Sequence, residues 1–170
     1  MAKHRAKPLR KLEQRSFLRH HVPGRIDAIT FHLNRSPRRY GDLAVAAIFG
    51  RTLCSFMGIH VDRSGKLTKD RGYFEHPGKD SWEVKIRDLP GGKFLRIGDL
   101  SDEERRILEN GLREANLSFA HLTFWTNRKT QTSGGRATKI AKQTQAAIIE
   151  RFANLSIRLC QERLKMVTVI

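Results

Sequence analysis

The chain has 170 residues, 39% of them hydrophobic and 29% charged, which suits one ordinary domain with a modest core. Lys and Arg number 33 against 17 Asp and Glu, leaving +16 at neutral pH; so strongly self-repelling a chain points to a polyanionic partner, whether nucleic acid, an anionic membrane face or an acidic protein. A membrane span is excluded because the longest apolar run, near residues 43–49, falls far short of ~20 residues, and a secretory signal because residues 1–19 hold no apolar core.

The charge gathers at the two ends. Residues 1–40 carry eleven bases and two acids, residues 126–170 nine and two, and the stretch between is nearly neutral. The expected organisation is a basic N-terminal arm over 1–40 and an α-rich globular domain over 41–170. In the arm, Pro8 can open a short helix bearing Leu9, Leu12, Phe17 and Leu18. Pro23-Gly24 breaks it, and Ile26, Ile29, Phe31 and Leu33 resume the apolar pattern up to Ser36-Pro37. The arm is either such a pair of short helices or a segment that orders on a partner.

The globular part opens with Asp42 as N-cap and an apolar face of Leu43, Ala46, Ala47, Phe49, Leu53, Phe56 and Met57, with Gly58 as C-cap. Residues 59–80 read as a long polar loop. Trp82, Val84 and Ile86 then alternate with Glu83, Lys85 and Arg87, and the turn Leu89-Pro90-Gly91-Gly92 leads into a return strand, predicting a hairpin near 81–98. Ser101 and Glu104 form a capping box that starts a helix over 101–123, carrying Ile107, Leu108, Leu112, Ala115, Phe119 and Leu122. A last helix over 136–165 repeats Ala141, Ile148, Leu155 and Gln145, Phe152, Leu159, Met166 at heptad spacing. It belongs to an intramolecular bundle or, alternatively, to a homodimer seam. The fold class is therefore mainly α: a small bundle of about three core helices with one β-hairpin insertion and a basic N-terminal arm.

No run of His, Cys, Asp and Glu has metal-ligand spacing, and no phosphate loop, dinucleotide fingerprint or nucleophile elbow is present, so no metal or cofactor is expected. The two cysteines, Cys54 and Cys160, lie 106 positions apart; Cys54, in an apolar helical run, reads as a small buried hydrophobe, and a reducing compartment such as the cytoplasm fits best. The loop Ser133-Gly134-Gly135-Arg136 before the last helix suits a phosphate held on backbone N–H groups.

Arg15 precedes His20 and His21, Arg25 precedes His32, and Arg71 precedes His76, each with four to six residues between. This spacing resembles the active-site pair of the metal-free HEPN ribonucleases, a helical family. The resemblance implies an Arg that holds the scissile phosphate and a His that moves a proton, chemistry imidazole suits near neutral pH. In that family the pair lies on a core helix, whereas His121, on the helix over 101–123, has Arg113 eight positions back.

The basic residues carry the main expectation. Lys3, Arg5, Lys7, Arg10, Lys11, Arg15, Arg19, Arg25, Arg35, Arg38 and Arg39 recur through the arm, and Arg128, Lys129, Arg136, Lys139 and Lys142 surround the start of the last helix. Guanidinium forks match phosphate oxygens and stack on bases, and each neutralised phosphate adds affinity by counterion release. Phe17, Phe31, Tyr40, Tyr73, Phe124 and Trp125 are available for stacking. The expected function is non-catalytic nucleic-acid binding, RNA slightly favoured over DNA. The alternatives are the HEPN-like ribonuclease and a dimerising interaction module with an acidic partner.

Overall fold

The computed structural model describes residues 11–69, 84–116 and 135–167, with the backbone alone at 11 and 135–142. Helix α1 (Lys11–Ser16) passes through a π-turn at Phe17–His21 into α2 (Val22–Asn34). The break expected at Pro23-Gly24 does not occur. Pro23 has no N–H to give and its ring presses on the carbonyl four residues back; the turn before it widens, so that Val22 N–H reaches Phe17 O five residues away, and the helix carries on. Val22, Ile29 and Leu33 are buried, and Phe17, Leu18 and Ile26 pack on the core. Residues 17–34 are thus part of the folded body rather than an appendage to it.

Helix α3 (Tyr40–Phe56) starts two residues before the expected cap, which makes Asp42 its third residue. It ends as expected at Gly58, whose φ of 82° is the left-handed conformation a helix stop requires. Residues 59–69, expected as loop, hold the hairpin instead: β1 (Ile59–Val61) pairs antiparallel with β2 (Leu67–Lys69), His60 opposite Thr68. Its turn is organised by Asp62, whose Oδ1 accepts the N–H groups of Ser64 at 2.8 Å and Lys66 at 3.0 Å.

The hairpin expected near 81–98 is accordingly corrected. The described part, 84–98, contains no strand; it carries 3₁₀ turns at Ile86–Asp88 and Ile97–Asp99. Alternation misled here because the polar member turns inward too. Lys85 is buried, with Nζ donating to Ser55 Oγ at 2.6 Å, and Asp88 takes the Lys85 N–H at 2.9 Å to close the turn. Ile86, Leu89, Leu95 and Leu100 line this segment onto the core.

The Ser101–Glu104 capping box opens α4 (Asp102–Glu114) as expected, with Glu104 N–H on Ser101 Oγ at 3.2 Å and Ser101 N–H on Glu104 Oε2 at 2.8 Å. The expected continuation to residue 123 lies outside the described residues. Helix α5 (Gly135–Leu164) is the axis of the fold: α3 and α4 pack along it, and α2 packs along α3. Of the heptad positions, Phe152, Leu155 and Leu159 are buried within the chain, Gln145 and Ile148 are half-buried, and Met166 is exposed. The architecture is mainly helical with one small antiparallel hairpin. Among the described residues no helix is long and apolar enough to cross a membrane.

Phe152 meets bare backbone on both neighbours. A Cβ at Gly50 of α3 would lie 2.8 Å from the ring, and one at Gly111 of α4 would lie 2.1 Å from Cγ and 2.3 Å from Cβ of Phe152. A Phe152 Cβ cannot rotate away, so Gly111→Ala must push α4 off α5. That strain outweighs the gain in helix propensity, and thermal denaturation should show a loss of about 1–3 kcal/mol. Gly24→Ala, with nothing within 4 Å, should be neutral or stabilising by no more than about 1 kcal/mol.

Cys54 and Cys160 are both buried, and burial pushes each thiol up to about 12. Neither should react with a thiol-specific disulfide reagent in the native protein, and both should react once denaturant unfolds it.

Candidate nucleic-acid interface

Helix α2 stops at Asn34 because Arg35 turns extended, with φ −65° and ψ 139°. The chain crosses a cis Ser36-Pro37 bond and stays extended at Arg39 before α3 begins. This corner places Arg35, Arg38 and Arg39 on the surface within five residues.

One buried carboxylate holds the corner together. Asp42 Oδ2 accepts the Arg39 N–H at 2.7 Å, while Oδ1 lies 2.6 Å from His32 Nδ1 and accepts Arg35 Nη1 at 3.3 Å. Its side chain is only 3% exposed against 25% for His32. The bond from His32 holds the Asp42 carboxyl below the usual carboxylate range; the Arg39 N–H and the Arg35 charge act the same way, and burial opposes them. The third position of a helix also favours an acid, since the first-turn N–H groups present positive charge. Arg38 is tied to α5 by Nη1 donating to Glu150 Oε2 at 2.8 Å. Among the described residues Arg39 forms no ion pair, and His32 Nε2 forms no hydrogen bond.

The Arg38–Glu150 pair is partly exposed on both sides and worth ~0–1 kcal/mol. A guanidinium has five N–H groups, so Arg35 and Arg38 each keep donors for a second anion. Two exposed aromatics adjoin them in the chain: Phe31 at 64%, edge-on to the His32 ring, and Tyr40 at 47%.

The other expected site residues fall as follows. Arg15 and Arg19 are exposed on α1 and the π-turn; Lys11 begins α1. His20 and His21 are exposed, and the His21 ring stacks on Phe17 at 5.4 Å. Arg25 is half-buried and bends back to donate to His21 O at 2.9 Å. The Arg25–His32 pair suggested by spacing is therefore not assembled, and it is Arg35 that meets His32, through Asp42. Arg136, Lys139 and Lys142 fall in the first turns of α5, where the backbone alone is described. Lys3, Arg5, Lys7, Arg10, Arg71, His76, His121, Arg128 and Lys129 lie outside the described residues.

Two features escaped sequence reasoning. Asp42 was legible as a helix-start acid, but its burial and its grip on His32 and Arg35 arise from the return of the chain at the corner. A second basic feature, a groove of about 240 Å³ between α4 and α5, is lined by Glu103, Arg106, Ile107, Asn110, Ile148 and Arg151; its two arginines come from helices far apart in sequence. Among the described residues no three His, Cys, Asp or Glu side chains gather as a metal site requires.

Because the Asp42 carboxyl is lowered in the folded chain, the unfolded chain binds more protons in the acid range. The stability that Asp42 contributes is present above its unfolded value, ~3.9, and is lost as pH falls through the folded value. Asp42→Asn should lower the thermal midpoint at neutral pH and remove this component of acid destabilisation, measured by circular dichroism melts from neutral to acid pH.

Comparison of the chain with protein-family models, with curated proteins and with solved structures finds no match.

Proposed function

We propose that the protein binds nucleic acid, RNA in preference to duplex DNA, by phosphate contacts and without catalysis. The observation that carries this reading is the α2–α3 corner, where Arg35, Arg38 and Arg39 share an exposed turn that Asp42 and Glu150 hold in one arrangement. Arginines on a fixed turn meet a phosphate chain at lower entropic cost than the same residues on a loose tail. The chain's +16 supplies the long-range attraction. Phe31 and Tyr40 favour single-stranded RNA, whose unpaired bases stack on exposed rings as those of a duplex do not.

Fluorescence anisotropy with labelled single-stranded RNA and duplex DNA over a salt series tests this. Affinity should fall steeply with salt, RNA should bind more tightly, and the RNA should remain intact on a denaturing gel. Replacing Arg35, Arg38 and Arg39 together by Ala should flatten the slope of log K against log salt by about 2, from ~0.7 per phosphate contact on a single strand. Absence of binding at moderate salt overturns the reading. RNA shortened by the wild-type protein but not by a histidine variant would replace it with ribonuclease activity.

A further inference from the structure

Helices α4 and α5 carry six arginines whose side chains are described, and four of them are engaged. Arg105 pairs with Asp102 and donates to Leu100 O, and Arg113 donates to Ser64 O. Arg158 pairs with Glu104 and Glu162, and Arg163 pairs with Asp99. Arg106 and Arg151 differ: both are exposed, and neither forms an ion pair or a hydrogen bond among the described residues. These two are the arginines that line the groove of about 240 Å³ between the helices, together with half-buried Ile107 and Ile148 and exposed Asn110.

Two guanidiniums lining one groove repel each other, and an anion bound between them offsets that repulsion. Glu103, the one acid among the lining residues, forms no ion pair with either. It stands in the first turn of α4, where the helix N-terminus favours its charge. The groove therefore keeps an excess of positive charge. Guanidinium forks match phosphate oxygens bidentately. The remaining lining suits what a phosphate carries in a nucleic acid: Ile107 and Ile148 give an apolar surface for the face of a base or sugar, and the Asn110 amide has a donor and acceptors for a 2′-hydroxyl or a base edge.

Helix α5 joins this groove to the basic corner. Glu150, which holds Arg38, and Arg151 are consecutive residues. Positions three and four apart on a helix are neighbours, so Ala147 and Asn154 each adjoin both of them, and both are exposed. From 143 to 157 the only charges on α5 are Arg151 and Glu150, and Arg38 already offsets the latter. That surface holds no uncompensated acid to repel a phosphate chain between corner and groove. We propose that the groove between α4 and α5 is a second phosphodiester site, in which Arg106 and Arg151 hold a phosphate of the same RNA strand that the α2–α3 corner binds, the strand crossing α5 at Ala147 and Asn154. The proposal rests on the nucleic-acid reading above and adds to it a second contact and a path.

The test is anisotropy of a short fluorescein-labelled single-stranded RNA over a salt series, with Arg106 and Arg151 both replaced by Gln. Neither has a partner among the described residues, so the variant should keep the wild-type thermal midpoint. It should bind several-fold more weakly, and its slope of log K against log salt should flatten by about 1.4, from ~0.7 for each of two contacts on a single strand. A control variant removes the same charge elsewhere. Arg63 and Arg96 are also exposed and form no ion pair among the described residues, and replacing both by Gln should flatten the slope by less than one contact. Titrated well above its Kd, the wild type should saturate at one strand per chain. Equal losses from the two double variants overturn the proposal and leave the nucleic-acid reading standing, because the groove is then only part of a diffuse positive field. Two strands per chain overturn the shared path. Binding of poly-glutamate that the groove variant loses, with its RNA affinity intact, gives the groove to an acidic protein segment instead. Failure of the wild type to bind RNA sinks both readings.

Discussion

The bundle depends on how Phe152 is housed. Among the described residues it is the largest fully buried side chain, and it is admitted because the two helices beside it present glycine where it arrives. Gly50 lets α3 approach from one side and Gly111 lets α4 approach from the other, so one ring sets the spacing of three helices. Ile149, Ala153, Ser156 and Cys160 extend the same buried face of α5, where Cys54 Sγ of α3 lies 3.4 Å from Ser156 Oγ, and Leu53, Leu108 and Leu112 belong to the same core. Interiors are packed too densely for such a point to relax locally, so a change there is passed on to helix positions. The basic corner is downstream of it. The N-terminus of α3 emerges beside Glu150 only because α3 lies close along α5, and Glu150 is what holds Arg38.

Three arginines in five residues repel one another, and a turn built of them needs counter-charge to keep one shape. Two carboxylates supply it from different depths. Asp42 is buried and hydrogen-bonded through both oxygens to groups from α2, the turn and its own helix cap. Glu150 is half-exposed and contributes a single pair. Charge-assisted bonds to a buried acceptor are the stronger kind, and a partly exposed pair adds little, so the order of the corner comes mainly from Asp42. The carboxylates that steady the arginines do not use up their donors, which is why the same residues can be structural and still meet a ligand.

Much of the fold was legible because its signals are local. Ser101 and Glu104 announce a helix start through atoms three residues apart, and Gly58 marks a helix end because only a residue without a Cβ turns left-handed at little cost. The apolar period of 43–57 is satisfied by one helix alone. The failures were places where a local pattern had a distant partner. Lys85 reads as the solvent-facing member of an alternating strand until Ser55, thirty residues earlier, accepts its ammonium. Pro23 reads as a break until a widened turn before it removes the clash. The hairpin at 59–69 was hidden because its strands are only three residues long and its turn is made by Asp62, a residue equally at home in a loop.

The candidate site divides in the same way. Sequence alone determined the net charge and the excess of Arg over Lys, which are sums over residues that no fold alters. It also determined the helical class and most helix ends, since caps and apolar periods are written within a few positions. Tertiary structure decided which arginine meets which histidine: Arg25, at the spacing that drew attention, bends back along its own helix, while Arg35 and His32 converge on Asp42. It also decided that Asp42 is buried. These depend on where α3 returns against α2, and that return is set by packing between residues far apart in the chain, through interactions that no spacing along the chain encodes.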